Sequence, residues 1–102
     1  VNHIVMSTPL VIIAQAWARP GFEQQLVDAQ KRLVEAARNS PGCLRYELNV
    51  STQDPGHIVF LEQWASTADW QRHMSGPHIH TFRSTAGHLI ADFALMQMRQ
   101  VA

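Results

Sequence analysis

The side chains able to do chemistry crowd into one stretch, Glu62–Phe82 (EQWASTADWQRHMSGPHIHTF), which holds three of the six histidines and two of the three tryptophans. Glu62 and Trp64 are two residues apart and share a face if the segment is extended. Trp70 and His73 are three apart, one turn of a helix. His78 and His80 follow Pro77, a residue excluded from helix interiors but suited to opening a helix. A carboxylate, imidazoles and indoles at a strand end and a broken helix would form a cleft wall between helix and sheet. Such a wall can move protons, because imidazole titrates near neutrality, and indole N–H groups can orient oxygen atoms. Metal binding is the poorer reading. Two of the three histidines straddle Pro77, no carboxylate stands at a recognisable ligand spacing, and Cys43 is distant in sequence. Cys43 itself reads as a small hydrophobe at a strand start rather than a nucleophile.

The elements around this stretch follow from its periodicities. Leu10–Ala18 (LVIIAQAWA) is a short apolar, β-branched run ended by Arg19-Pro20-Gly21, and reads as a strand. Phe22, Leu26, Ala29, Leu33, Val34 and Ala37 recur at spacings of three and four, which predicts a helix to about Arg38, closed by Asn39-Ser40-Pro41-Gly42. Cys43–Ser51 alternates, with Leu44, Tyr46, Leu48 and Val50 on one face. The turn Gln53–Gly56 then leads to a third segment, His57–Ala65. Ser66 with Asp69 three residues on is a helix-start signature. That helix should end near Met74, and a second piece should run from His78 to about Ala86. Ala91–Val101 alternates again. The order is β-α-β-β-α-β, an α+β, ferredoxin-like plan with helices on one face of an antiparallel sheet. Both faces of the first and third strands are largely apolar, so the other face needs a cover too, most simply a second copy of the chain.

Composition agrees with that reading. The chain has 102 residues, one-domain length, with 46% hydrophobic but only 16% charged residues, the latter below the usual proportion of about 25%. Eight basic and eight acidic residues leave no net charge, and the only lysine is Lys31. A nucleic-acid partner is therefore disfavoured. The longest apolar run, Pro9–Ala14, is too short to span a bilayer. A single cysteine asks for no oxidising compartment, which makes a cytoplasmic location the default. Residues 1–9 read as a flexible lead-in and residues 10–102 as a single domain.

The frame Pro-Gly-Cys-Leu-Arg-Tyr-Glu (Pro41–Glu47), Phe60-Leu61-Glu62-Gln63-Trp64, then His73, Pro77-His78 and Phe82 resembles the antibiotic biosynthesis monooxygenase family, especially its small quinol-monooxygenase-like members. The likeness runs from about Leu10 to Val101. It implies a dimeric α+β barrel, two ferredoxin-like subunits joined sheet to sheet, with a pocket between helices and sheet in each. For some members it also implies oxidation of a quinol or polycyclic phenol by O2 without flavin, haem, metal or other cofactor. In that chemistry a deprotonated, electron-rich phenol hands an electron to O2, and the protein supplies a base, a dry pocket and donors for the oxyanion. His73 or His78 is the expected base, and Trp64 a pocket wall and N–H donor. Glu62 and Asn49, polar groups on adjacent strands, would orient the substrate or the histidine. Trp70, Phe82 and Trp17 are candidates for stacking. Haem-degrading relatives are disfavoured because Arg83 falls near the position of their haem-ligand histidine. Isomerase relatives share the histidine segment but differ at Glu62-x-Trp64.

Each candidate also has a structural use. His73 and His78 can pin helix to sheet, Glu62 can pair with Arg45 or Arg72, and Trp64 and Trp70 can anchor a core or an interface. Asn49 can be a simple edge hydrogen-bonder. The function therefore stays open between a monooxygenase, an isomerase-type enzyme of the same superfamily, and a non-catalytic ligand-binding or stress-response module.

Overall fold

The computed structural model describes residues 9–102, so nearly all of the expected lead-in lies outside the described residues. The order of elements is β1 (Leu10–Ala18), α1 (Glu23–Ala37), β2 (Cys43–Val50), β3 (His57–Trp64), α2 (Thr67–Met74), α3 (Pro77–Ala86), a single 3-10 turn (Gly87–Leu89) and β4 (Ile90–Arg99). The sheet runs β2-β3-β1-β4, with every neighbouring pair antiparallel. This is the ferredoxin-like α+β fold expected from the sequence. Among the described residues no helix is long and apolar enough to cross a membrane.

Local chemistry sets the boundaries. Gly21 adopts φ +89°, a left-handed conformation that residues with a Cβ avoid, and turns the chain from β1 into α1. Gly42, at φ +80°, does the same before β2, and a Cβ there would run into the side chain of Asp69. That close approach seats the start of β2 against the first turn of α2. Ser66 caps α2 by accepting the Asp69 N–H at 3.1 Å, and Pro77 opens α3 at its first turn.

Ile12, Ala14, Leu33, Val34, Tyr46, Phe60, Trp64 and Ile79 form the main core between helices and sheet. A second cluster around Leu26, Ala29, Ile58 and Leu89 continues it. The even-numbered residues of β1 and β3 face the helices; Val11, Ile13, Trp17, Val59 and Leu61 face the other way. One expectation needs correction. A bulge between Cys43 and Arg45 interrupts the alternation of β2, so Cys43 packs on the core while Leu44 stands 57% exposed. The bulge adds one residue against β3 and resets the faces from Tyr46 onward.

Candidate active site

Strand pairing builds the site. Glu62 lies on the helix-covered face of β3, flanked across the sheet by Tyr46 on β2 and Ile12 on β1. Two residues on, Trp64 is fully buried on the same face. Its Nε1–H donates to Glu62 Oε1 at 2.9 Å. His73 descends from α2 and lies on the Trp64 indole, with ring centroids 4.8 Å apart and planes 30° apart. The same imidazole meets the Tyr46 ring edge-on at 5.5 Å, and its Nε2 stands 3.5 Å from the Tyr46 hydroxyl, the outer limit of a hydrogen bond. Glu62, Trp64, His73 and Tyr46 are thus one cluster built from two strands and a helix.

Burial sets the charge states. Glu62 is only 4% exposed, and among the described residues no cation stands close enough to offset the loss of water. Burial pushes its carboxyl up to about 7, against the downward pull of the Trp64 hydrogen bond. Burial, helped by repulsion from His78, lowers His73 to about 4. Tyr46 is raised above its ordinary value by burial and then by the nearby Glu62. At neutral pH the imidazole is therefore uncharged and the phenol protonated, and the carboxyl is the group poised to exchange a proton.

Glu62 lines a cavity of about 230 Å³ between the sheet and the helices. Ala14, Tyr46, Phe60 and Leu95 form its sheet side, and Leu33, Met74, Ile79 and Phe82 its helix side. Arg83 and Phe93, both exposed, mark the end open to solvent. Apart from Glu62 and Arg83 the walls are almost wholly apolar. A carboxyl at such a wall can accept a proton from a bound hydroxyl without a competing hydration shell.

Residues 9–85 match the family described as Antibiotic biosynthesis monooxygenase. The chain belongs to that family. "Putative monooxygenase Rv0793" of Mycobacterium tuberculosis is 28% identical over 85 residues, which cover 83% of each chain. "Probable quinol monooxygenase YgiN" of Escherichia coli K12 is 28% identical over 83 residues, covering 72% of this chain and 80% of that one. The crystal structure of PA3566 from Pseudomonas aeruginosa superposes with a TM-score of 0.90 at 32% identity, covering 99% of this chain and all of that one.

Within this antibiotic biosynthesis monooxygenase domain, the residues singled out from sequence divide. Glu62, Trp64 and His73 come together; Glu62 and Phe82 line the cavity, while Trp64 and His73 stand behind Glu62 and do not. His78 is exposed and does not line it. It borders a cleft of about 190 Å³ with Arg32, Thr81 and Thr85, and another of about 240 Å³ that His73 also touches. Trp70 packs on the core from α2 with its Nε1 buried and unpartnered, also away from the Glu62 cavity. Asn49 and Trp17 lie on the opposite face of the sheet, so Asn49 does not share a site with Glu62. Asn49 pairs with Val59 across β2 and β3, and Trp17 stacks on His57 at 4.7 Å. Odd and even positions of adjacent strands in this register point to opposite faces, which is the physical reason. The expected pairing of Glu62 with Arg45 or Arg72 is replaced by the Trp64 bond; those arginines pair with Glu47 and Asp69. Among the described residues no three His, Cys, Asp or Glu side chains cluster to hold a metal ion. Tyr46, Met74, Arg83 and Phe93 were not anticipated in the site. Alternation put Tyr46 on an inner face, but only the register sets it opposite Glu62.

Proposed function

We propose that this chain is a monooxygenase that oxidises a quinol or phenol with O2 in the Glu62 cavity, with Glu62 as the base. The observation that carries the reading is a buried carboxyl, poised near neutrality, on the wall of an apolar cavity. The name of the Escherichia coli relative supports a quinol as the substrate class. Trp64 engages Oε1 and leaves Oε2 to receive the hydroxyl proton. His73, stacked behind the indole, is a positioning residue that holds Trp64 and, through it, the carboxylate.

Loss of the proton makes the ring electron-rich enough to pass an electron to O2, and the apolar walls keep water away from the resulting pair. The overall balance needs no external reductant. One atom of O2 bonds to a ring carbon, that carbon and the hydroxyl each give up a hydrogen, and the second oxygen atom leaves as water. The chain works as a homodimer in this reading, a second copy covering the bare sheet face. Support comes from the apolar residues left there, Met96 and Met98 among them at 39% and 46% exposure.

The test is O2 uptake by metal-stripped protein offered reduced quinols and phenols of one and two rings, with boiled protein as the autoxidation control. The expected result is protein-dependent uptake of one O2 per oxidised product, unchanged by catalase. Catalase-sensitive uptake would mean release of hydrogen peroxide, hence dehydrogenation instead of oxygen insertion. No uptake across the panel would overturn the reading.

A further inference from the structure

The cavity carries a second charged group that the proton-transfer reading leaves unused. Arg83, on α3, lines it at the solvent end with Ile90 and Phe93, while Glu62 lies buried on the sheet. Among the described residues the ion pairs are Arg45 with Glu47 and Arg72 with Asp69, and the Arg83 guanidinium has neither an ion-pair nor a hydrogen-bond partner. Nor does it act on Glu62, whose proton affinity is set by burial and by the Trp64 bond. The two charges are thus separate poles of one apolar space rather than a pair.

Apolar walls alone would not tell one end of a ring from the other. Two poles of opposite sign give a bound molecule a direction. Arginine presents a planar fork that matches a carboxylate or sulfonate, and the apolar surroundings strengthen such a pairing. Volume limits the ring system. A cavity of about 150 Å³ takes one benzene, so about 230 Å³ suits one or two fused rings with small substituents.

We infer that the substrate is an aromatic acid of one or two rings, its hydroxyl directed to Glu62 and its anionic substituent held by Arg83. This rests on the proposed oxygenation site and narrows its substrate class.

The experiment is calorimetric binding, under argon so that no turnover occurs, of 6-hydroxy-2-naphthoate and of its uncharged amide, 6-hydroxy-2-naphthamide. Both are offered to the unmodified protein, to Arg83→Gln and to Arg32→Gln. The carboxylate should bind roughly tenfold more tightly than the amide, the scale of one charge-assisted contact. That preference should disappear in Arg83→Gln, persist in Arg32→Gln, and weaken as salt is raised. Equal binding of the two ligands, or a preference that survives Arg83→Gln, would overturn the inference while leaving the oxygenation site standing. Arg83 would then serve only the C-terminal end of α3, where a cation is favourable. Binding of neither ligand would count against the cavity as a ligand site, and so against both readings.

Discussion

The two faces of the sheet handle polar groups in opposite ways. On the bare face, polar side chains satisfy one another: His57 Nε2 and Gln15 Oε1 meet at 2.9 Å beside the Trp17 ring. On the helix-covered face, Glu62 is removed from water with one indole N–H as its only partner among the described residues, none of which brings a cation to compensate it. Burying a carboxyl on those terms costs free energy, and the fold tolerates it where the carboxyl borders a cavity. Incompletely satisfied polarity beside a space thus points to chemistry, while mutually satisfied polarity points to structure. Gln30 tests the rule, since it is fully buried with both amide atoms unpartnered, yet it lines none of the cavities described above.

Removing the base should show the largest contrast between the faces. Glu62→Gln keeps the shape of the side chain and should lower oxygenation roughly 100-fold or more, the scale of a general base. Asn49→Ala, on the other face, should leave kcat within about threefold of the unmodified protein. A charge on the bare face should break assembly instead. Leu61→Glu should elute as a monomer at micromolar concentration in size-exclusion chromatography, because an unpaired charge buried against a second copy costs several kcal/mol. A Leu61→Glu dimer would show that another surface joins the copies.

The pH dependence of stability separates the groups within the covered face. Glu62 is raised from 4.5 to about 7 in the folded chain. The native state therefore holds the proton more tightly, and stability is lost as pH rises through that window. Glu62→Gln has no such loss, so its stability relative to the unmodified protein should increase from pH 4.5 to about pH 7 and then level off. The gain should be on the order of 3 kcal/mol. His73, lowered from 6.5 to about 4, works in the opposite direction. Its neutral form is favoured in the fold, so stability is lost as pH falls through that range, and His73→Gln should flatten the acid limb. Thermal melts of the three proteins across pH measure both effects. The smallest change expected is at Gln30, where Gln30→Leu should raise stability by about 1–2 kcal/mol by removing two orphaned polar atoms. A lower melting temperature in that variant would mean that the amide is satisfied by buried water.

Much of the fold could be read in the residues. The three-and-four spacing from Phe22 to Ala37, the Ser66 cap and the Pro77 restart each encode a boundary locally, and each lies where expected. The site was legible only in part. Glu62 and Trp64 share a face by simple alternation, and His73 joins them because α2 begins at a fixed cap two residues after the β3 strand end. Alternation along β2 already sets Asn49 on the face opposite Tyr46, but which of the two shares a face with Glu62 depends on the register with β3, a property of pairing between segments. Arg83 and Phe93 meet at the cavity only through tertiary packing, and sequence spacing carries no signal for that. The proton affinities were equally hidden. Histidine is the expected base from its ordinary titration range, but burial drives His73 down and Glu62 up, which exchanges their suitability.

The most direct test of the central claim is the pH profile of protein-dependent O2 uptake, measured as kcat/KM for the unmodified protein and for Glu62→Gln with one reduced quinol. In the unmodified protein the rate should rise through a midpoint near 7. In Glu62→Gln that limb should vanish, with the plateau about 100-fold lower. A Glu62→Gln protein that keeps the wild-type rate and the same limb would contradict the central claim and would move the base away from the covered face of β3.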